Sequence, residues 1–256
     1  ESGLTNRVVR YRFEGDTLSD ERVIIENIPG AQYHDGGRIA FGPDQKLYIT
    51  TGDAGDTALA QDVNSVAGKI LRLNADGSIP EDNPFGTENP VYSYGHRNPQ
   101  GLAWSDAGEL WITEHGPSGV RSGFDEVNRI QAGENYGWPD LVGSESGDKI
   151  IEPYVQSGAD ETWAPAAAEI VGDTLYFVGL RGQALYQVEL PAPDTPLEQL
   201  SDIQPRPDVL AYFRERWGRL RVVRQGPAGA LYLLTSNTDG RGEPQAGDDK
   251  IIRLEP

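Results

Sequence analysis

The sequence predicts an all-β protein built of repeated sheets, and three observations support this. The 256 residues include 31 Gly and 18 Pro beside 37% hydrophobic residues, a balance suited to many short strands joined by tight turns. Pairs of short strands recur along the chain. Helical periodicity is nearly absent: the one candidate stretch, Leu197 to Phe213, is broken by Pro205 and Pro207 and reads as a connection.

Four segments share two short strands around a turn. The first pairs Arg38–Phe41 with Leu47–Thr50 across a Gly-Pro-Asp turn, and the second pairs Gly101–Trp104 with Leu110–Thr113 across Asp-Ala-Gly. The third pairs Ala168–Val171 with Leu175–Val178, and the fourth Leu220–Val223 with Leu231–Leu234. Their Leu-aromatic-aliphatic cores stand roughly 55 to 65 residues apart, a period that suits propeller blades with long loops. A third strand follows each pair: Lys69–Leu73, Glu126–Ile130, Ala184–Val188 and Lys250–Leu254.

A fifth copy of that third strand, Arg7–Tyr11, comes with no partner strands ahead of it. The expectation is a single propeller domain over residues 1–256, with four full blades and a partial first blade. A propeller closes its ring to hide sheet edges. Either sequence ahead of Glu1 has been removed, or another chain, a second copy included, completes the ring. The first strand is then expected to lack the partners of a complete blade.

Net charge is −18, which argues against a nucleic-acid partner and reads otherwise as a solubility coat. There is no Cys, which excludes disulfides, thiolate metal sites and a Cys nucleophile, and fits an exported protein. No apolar stretch approaches the length of a membrane span, so a soluble chain is expected. No signal peptide is present, which leaves a cleaved one open.

Between second and third strands the loops are long and polar in three of the four repeats, and in a propeller such loops gather on one face. His34 stands just where a strand begins, followed by Asp35-Gly36-Gly37-Arg38. It reads either as a hydrogen-bonded loop histidine or as a base whose glycines leave room for a ligand. His96 and His115 complete the histidines, and no pair has the i, i+4 spacing of a helical zinc site. Arg97, Arg181, Arg219 and Arg221 fall at strand ends or turns. Each alone reads as a surface ion pair; together they could converge on a polyanion, because the guanidinium fork suits carboxylates. Gly116-Pro117 offers two successive carbonyls, with Asp125 and Glu126 close behind and Asn135-Tyr136-Gly137-Trp138-Pro139 after them. Calcium accepts such oxygens, and a plain turn before an acidic strand is the alternative.

The stretch from His34 to Pro139 closely resembles the soluble PQQ-dependent glucose and aldose sugar dehydrogenases. The resemblance lies in His34–Arg38, Gly42-Pro43-Asp44, Thr51-Gly52-Asp53, Gly68–Leu73, Asp76–Pro80, Gly95–Leu102, Glu114–Pro117 and Asn135–Pro139. It continues more thinly past Thr162, through Gly179–Gly182 and Gly218–Arg221, to the C-terminus.

The resemblance implies a six-bladed β-propeller of four-stranded antiparallel blades, incomplete here by about a blade and a half before Glu1. It implies oxidation of an aldose at the anomeric carbon to the lactone, by hydride transfer to pyrroloquinoline quinone (PQQ), with electrons passed to an external acceptor. His34 matches the general base and Arg97 the residue beside the quinone oxygens. Asn98, Thr162, Arg181, Arg219 and Arg221 match cofactor contacts, the last three facing its carboxylates. The carbonyls of Gly116 and Pro117 match ligands of a calcium that also binds PQQ and acts as a Lewis acid. Glu126 and the carbonyl of Tyr136 match ligands of a second, structural calcium. Family members are usually exported, which implies a periplasmic or secreted location.

The chain departs from the family pattern in places. Tyr33 stands before His34, where glucose-oxidising members carry a polar or acidic residue. Arg181 stands where others have Lys, as in aldose-type members, and the loop after Asp53 is short, as in the broad-specificity aldose branch. The family's upstream Gln near the substrate would lie ahead of Glu1. Two rival readings are a calcium-dependent lactonase, which would have no use for the Arg cluster, and a non-catalytic binding propeller.

Overall fold

A computed structural model describes residues 3–119, 122–200 and 202–255. Among the described residues the regular elements are strands and short 3-10 turns, the strands gathered into antiparallel sheets in two compact units.

The first unit holds residues 1–98 and 131–139. It opens with a long hairpin of β1 (Thr5–Glu14) and β2 (Thr17–Pro29), closed where Glu14 faces Thr17. Gly15, at φ +65°, supplies the positive dihedral that a two-residue hairpin turn demands. The Arg7–Tyr11 segment therefore has a partner, supplied by the strand that follows it. β2 escapes sequence reading because it is exposed over most of its length, interrupted by bulges, and buries only Ile24 and Ile28.

Next comes a four-stranded sheet of β3 (Ile39–Phe41), β4 (Leu47–Thr51), β5 (Lys69–Leu73) and β6 (Val91–Tyr94), paired in sequence order. β4 and β5 are buried at every position, which explains their near-continuous apolar runs. Leu47, Ile49, Leu71, Leu73 and Val91 pack with Ile24 of the hairpin into one core. Each such burial contributes about 1.5–3 kcal/mol relative to exposure.

One residue of β5 is a lysine buried at 0% exposure. Lys69 donates from Nζ to the carbonyls of Leu59 (2.7 Å), Ala60 (2.9 Å) and Ala67 (2.6 Å). Burial pushes its ammonium down to about 7, and the charge of Asp62 opposes that shift. These bonds gather the loop between β4 and β5, the loop on which Asp53 stands.

The second unit, residues 99–130 and 140–256, carries three sheets. β7 (Pro99–Trp104), β8 (Leu110–Glu114), β9 (Glu126–Ile130) and β10 (Val155–Gln156) form one. β11 (Pro165–Val171), β12 (Thr174–Gly179), β13 (Leu185–Glu189) and β14 (Leu210–Tyr212) form the next. β15 (Leu220–Gln225), β16 (Leu231–Thr235) and β17 (Ile251–Leu254) form a three-stranded sheet among the described residues. The core is aromatic: Trp163 packs against Phe177 and Tyr186 at centroid distances of 5.2 and 5.6 Å.

The twelve strands expected from the four repeats are all present. The stretch from Leu197 to Phe213 is more than a connection, for it holds a 3-10 turn at Leu197–Gln199 and the outermost strand β14. β6, β10 and β14 run only two to four residues and pair on one side. Strands that short show too little alternation to be read from sequence.

Candidate active site

In the first unit the site begins at His34, on the loop between β2 and β3. Its φ of +65° lies in the left-handed region, which a non-glycine residue occupies only at a cost. Surrounding contacts fix that conformation. The His34 carbonyl lies so near Gly52 that a Cβ there would stand 1.7 Å from its oxygen, so only glycine fits at position 52. Asn98 accepts the Gly36 N–H at 3.1 Å through Oδ1, tying the loop to the strand-end motif that carries Arg97.

Nδ1 of His34 donates to Asp53 Oδ1 at 2.8 Å, and Asp53 is wholly buried. The same Oδ1 accepts the Gly55 N–H at 2.8 Å, and Oδ2 accepts the Trp138 indole N–H at 2.9 Å. Burial alone would push the Asp53 carboxyl up. The bonds from His34, Gly55 and Trp138 outweigh it and hold the carboxyl below its usual range. An ionised Asp53 takes the proton side of the ring at Nδ1, which leaves the lone pair on Nε2, the arrangement of an oriented base.

Arg97 is buried to 6% exposure, its guanidinium 5.3 Å from the centre of the Trp138 ring, and its carbonyl accepts the Asp53 N–H at 2.8 Å. Tyr136 is buried in the same unit with its ring stacked on His96 at 4.9 Å. His34, Arg97 and Asn98 thus share one neighbourhood, and Asp53 and Trp138 join them. Sequence reading assigned no role to those two; only their place in quoted motifs marked them.

In the second unit Asp125 organises two loops. Its Oδ1 accepts the Gly116 N–H at 2.9 Å, and its Oδ2 accepts those of Trp163 and Ala164 at 2.7 and 2.8 Å. Gly116 and Pro117 are thereby held to the segment carrying Thr162, whose hydroxyl lies 3.3 Å from that of Ser122. A Cβ on Gly116 would stand 2.2 and 2.3 Å from the carbonyl oxygens of Gly123 and Phe124. Glu126 is the first residue of β9; burial, and then the charge of Glu114, push its carboxyl well above the usual range. Among the described residues no three His, Asp or Glu side chains are grouped to hold a metal. A hard cation here would draw on main-chain carbonyls, a donor set calcium accepts.

Arg219 reaches Asp239 Oδ2 from Nη2 at 2.9 Å, and Arg221 reaches the same oxygen at 3.5 Å. Burial lowers the Arg221 guanidinium from its ordinary value, Asp239 opposing the shift and Arg219 adding to it. Two guanidinium groups sharing one carboxylate carry an excess positive charge, which fits an anionic ligand. Arg181 is exposed, just after β12. Asp239 went unnoticed in the sequence.

The chain belongs to the glucose/sorbosone dehydrogenase family, whose model matches residues 1–252. It is 34% identical over 263 residues to the aldose sugar dehydrogenase of Escherichia coli, covering 94% of this chain and 68% of that one. It is 40% identical over 154 residues to quinoprotein glucose dehydrogenase B of Acinetobacter calcoaceticus, covering 52% and 31%. The solved PQQ-bound aldose sugar dehydrogenase of Streptomyces coelicolor superposes with a TM-score of 0.86 at 40% identity, over 97% of this chain and 71% of that one. The matched chain therefore spans 68% of the Escherichia coli relative, 31% of the Acinetobacter one, and 62% of a third, from Synechocystis. The expected family and the all-β class of four-stranded antiparallel sheets are both met. No helix among the described residues is long and apolar enough to cross a membrane.

Proposed function

We propose that the protein oxidises an aldose at its anomeric carbon to the lactone, as a quinoprotein using PQQ and calcium. The observation that carries this reading is the His34–Asp53 pair at 2.8 Å, a base oriented by a buried carboxylate beside Arg97.

When bound, PQQ polarised by calcium supplies the acceptor for the hydride from the anomeric carbon. His34 Nε2 takes the proton of the anomeric hydroxyl, while Asp53 holds Nδ1–H and stabilises the imidazolium. Arg97 faces the developing negative charge. Asn98, Thr162, Arg181, Arg219 and Arg221 hold the cofactor, the last three at its carboxylates. The carbonyls of Gly116 and Pro117 would hold the catalytic calcium, and Glu126 with the Tyr136 carbonyl would hold a structural one. The reading extends to a single six-bladed propeller domain, to an external electron acceptor, and to a periplasmic or secreted location. Its support is the family match together with the dyad and the paired arginines.

Reconstitution tests it. With PQQ and calcium added, glucose and other aldoses should reduce an artificial dye acceptor and bleach the oxidised-quinone absorbance. Absorbance unchanged by any aldose, with PQQ demonstrably bound, would sink the reading.

A further inference from the structure

We propose that Trp138 is a positioning residue of the candidate active site, holding Asp53 by its indole N–H and Arg97 by its ring face. The inference rests on the reading of His34 as the base. One side chain makes both contacts: Nε1 donates to Asp53 Oδ2 at 2.9 Å, and the Arg97 guanidinium stands 5.3 Å from the ring centre. With Oδ1 engaged by His34 and Gly55, the Trp138 bond fixes the remaining oxygen and so the rotation of the carboxylate.

The indole is itself held at its backbone. Trp138 N–H donates to the Gly95 carbonyl at 3.0 Å, and its own carbonyl accepts from Gln61 Nε2 at 2.6 Å. Tryptophan is the side chain that offers both functions here, because phenylalanine has the face without the donor.

The consequence is electrostatic as well as geometric. The indole donor takes up part of the Asp53 charge that would otherwise act on the imidazole. Among the described residues, charged and titratable groups near His34 include Asp53 at 2.8 Å, Tyr33 with its ring at 5.1 Å, the adjoining Asp35, and Arg97 across the Trp138 ring. Asp35 is engaged elsewhere, with Asn6 at 2.7 Å and the Ala31 N–H at 3.0 Å. Asp53 is the carboxylate in direct contact with the His34 ring, and Trp138 is bonded to that same carboxylate.

NMR titration of the three histidines tests this without cofactor or substrate. Trp138→Phe should raise the His34 midpoint by about half a unit to one unit, because the full carboxylate charge then favours the imidazolium. Asp53→Asn should lower it. A merely structural tryptophan would not give shifts of opposite sign. In the unaltered protein, the Trp138 indole N–H resonance should move with pH at the His34 midpoint. PQQ binding, measured directly, should weaken in Trp138→Leu by about two- to fivefold relative to Trp138→Phe, which keeps a ring for Arg97.

A His34 midpoint that is unmoved or lowered in Trp138→Phe would overturn the proposal. So would an indole resonance indifferent to pH, which decides the matter should the variant fail to fold. Equal PQQ affinity in the Phe and Leu variants would remove Arg97 from it. Sugar oxidation by the unaltered protein is scored separately, so loss of the functional reading leaves the titration result standing.

Discussion

Asp53 accepts the Nδ1–H of His34 at 2.8 Å from a carboxylate that solvent does not reach. Nineteen residues separate the two along the chain, and the contact depends on the Gly52 backbone passing directly against the His34 carbonyl. The pairing fixes both the tautomer and the direction of the ring.

Replacing the base should abolish turnover while sparing the cofactor. His34→Gln or His34→Ala is expected to slow sugar oxidation by roughly 10²- to 10⁴-fold, the usual contribution of a general base. PQQ affinity, which rests on other residues, should stay within about threefold, as titration with calcium present would show. A variant that binds PQQ and still turns over within about threefold of the parent removes His34 from the reaction.

Arg219 and Arg221 should act on affinity. Changing either to Ala is expected to weaken PQQ binding by about 1–3 kcal/mol, the range for charge-assisted hydrogen bonds. Because both already meet Asp239, Asp239→Asn should leave them an undivided charge and tighten PQQ or leave it unchanged. Calorimetric titration of the three variants checks the set, and unchanged affinity in both Arg variants dissolves the clamp.

Acid should destabilise the fold through Asp53 and Asp239. Both carboxyls are held below their usual range in the folded protein. Their stabilisation is present above the unfolded carboxyl value of about 3.9 and is lost as pH falls through the lower folded values. Asp53→Asn should therefore flatten the acid limb of stability against pH. Urea midpoints measured between about pH 6 and pH 3 would show it, and parallel curves for parent and variant would refute it.

Gly52→Ala should be among the most harmful small substitutions in the first unit. Its new Cβ would fall 1.7 Å from the His34 carbonyl oxygen, so one of the two loops must move. The expected cost is about 1–3 kcal/mol of stability, with turnover lost because His34 and Asp53 part. Thermal melting together with His34 chemical shifts checks this; a parent-like melting point with a parent-like shift would contradict it.

The repeated strands were legible because β4, β8, β12 and β16 each carry a Leu-led aromatic and aliphatic run, wholly buried in β4 and β8 and partly so in β12 and β16. β10 and β14 were not, for two or three residues at a sheet edge hold no periodicity. His34, Arg97, Asn98 and Gly116 were singled out by the family resemblance of the short motifs in which they stand. The roles of Asp53, Trp138 and Asp239 were hidden. Each acts on a residue 18 to 85 positions away, across a contact made only when loops fold together. Asp125 was noticed as an acidic neighbour, whereas its service as acceptor for three backbone N–H groups has no linear signature.

The ammonium group of Lys69, drawn into a pyramid of three carbonyl oxygens, occupies the place a potassium ion takes in proteins that recruit one. Here the ion is covalently part of the polymer. It cannot be diluted away, exchanged for sodium or stripped by a chelator, and it arrives with the chain at one copy per molecule. The loop bearing Asp53 is thus gathered by a charge that salt exchange or a chelator cannot remove, and that weakens only as pH rises through about 7.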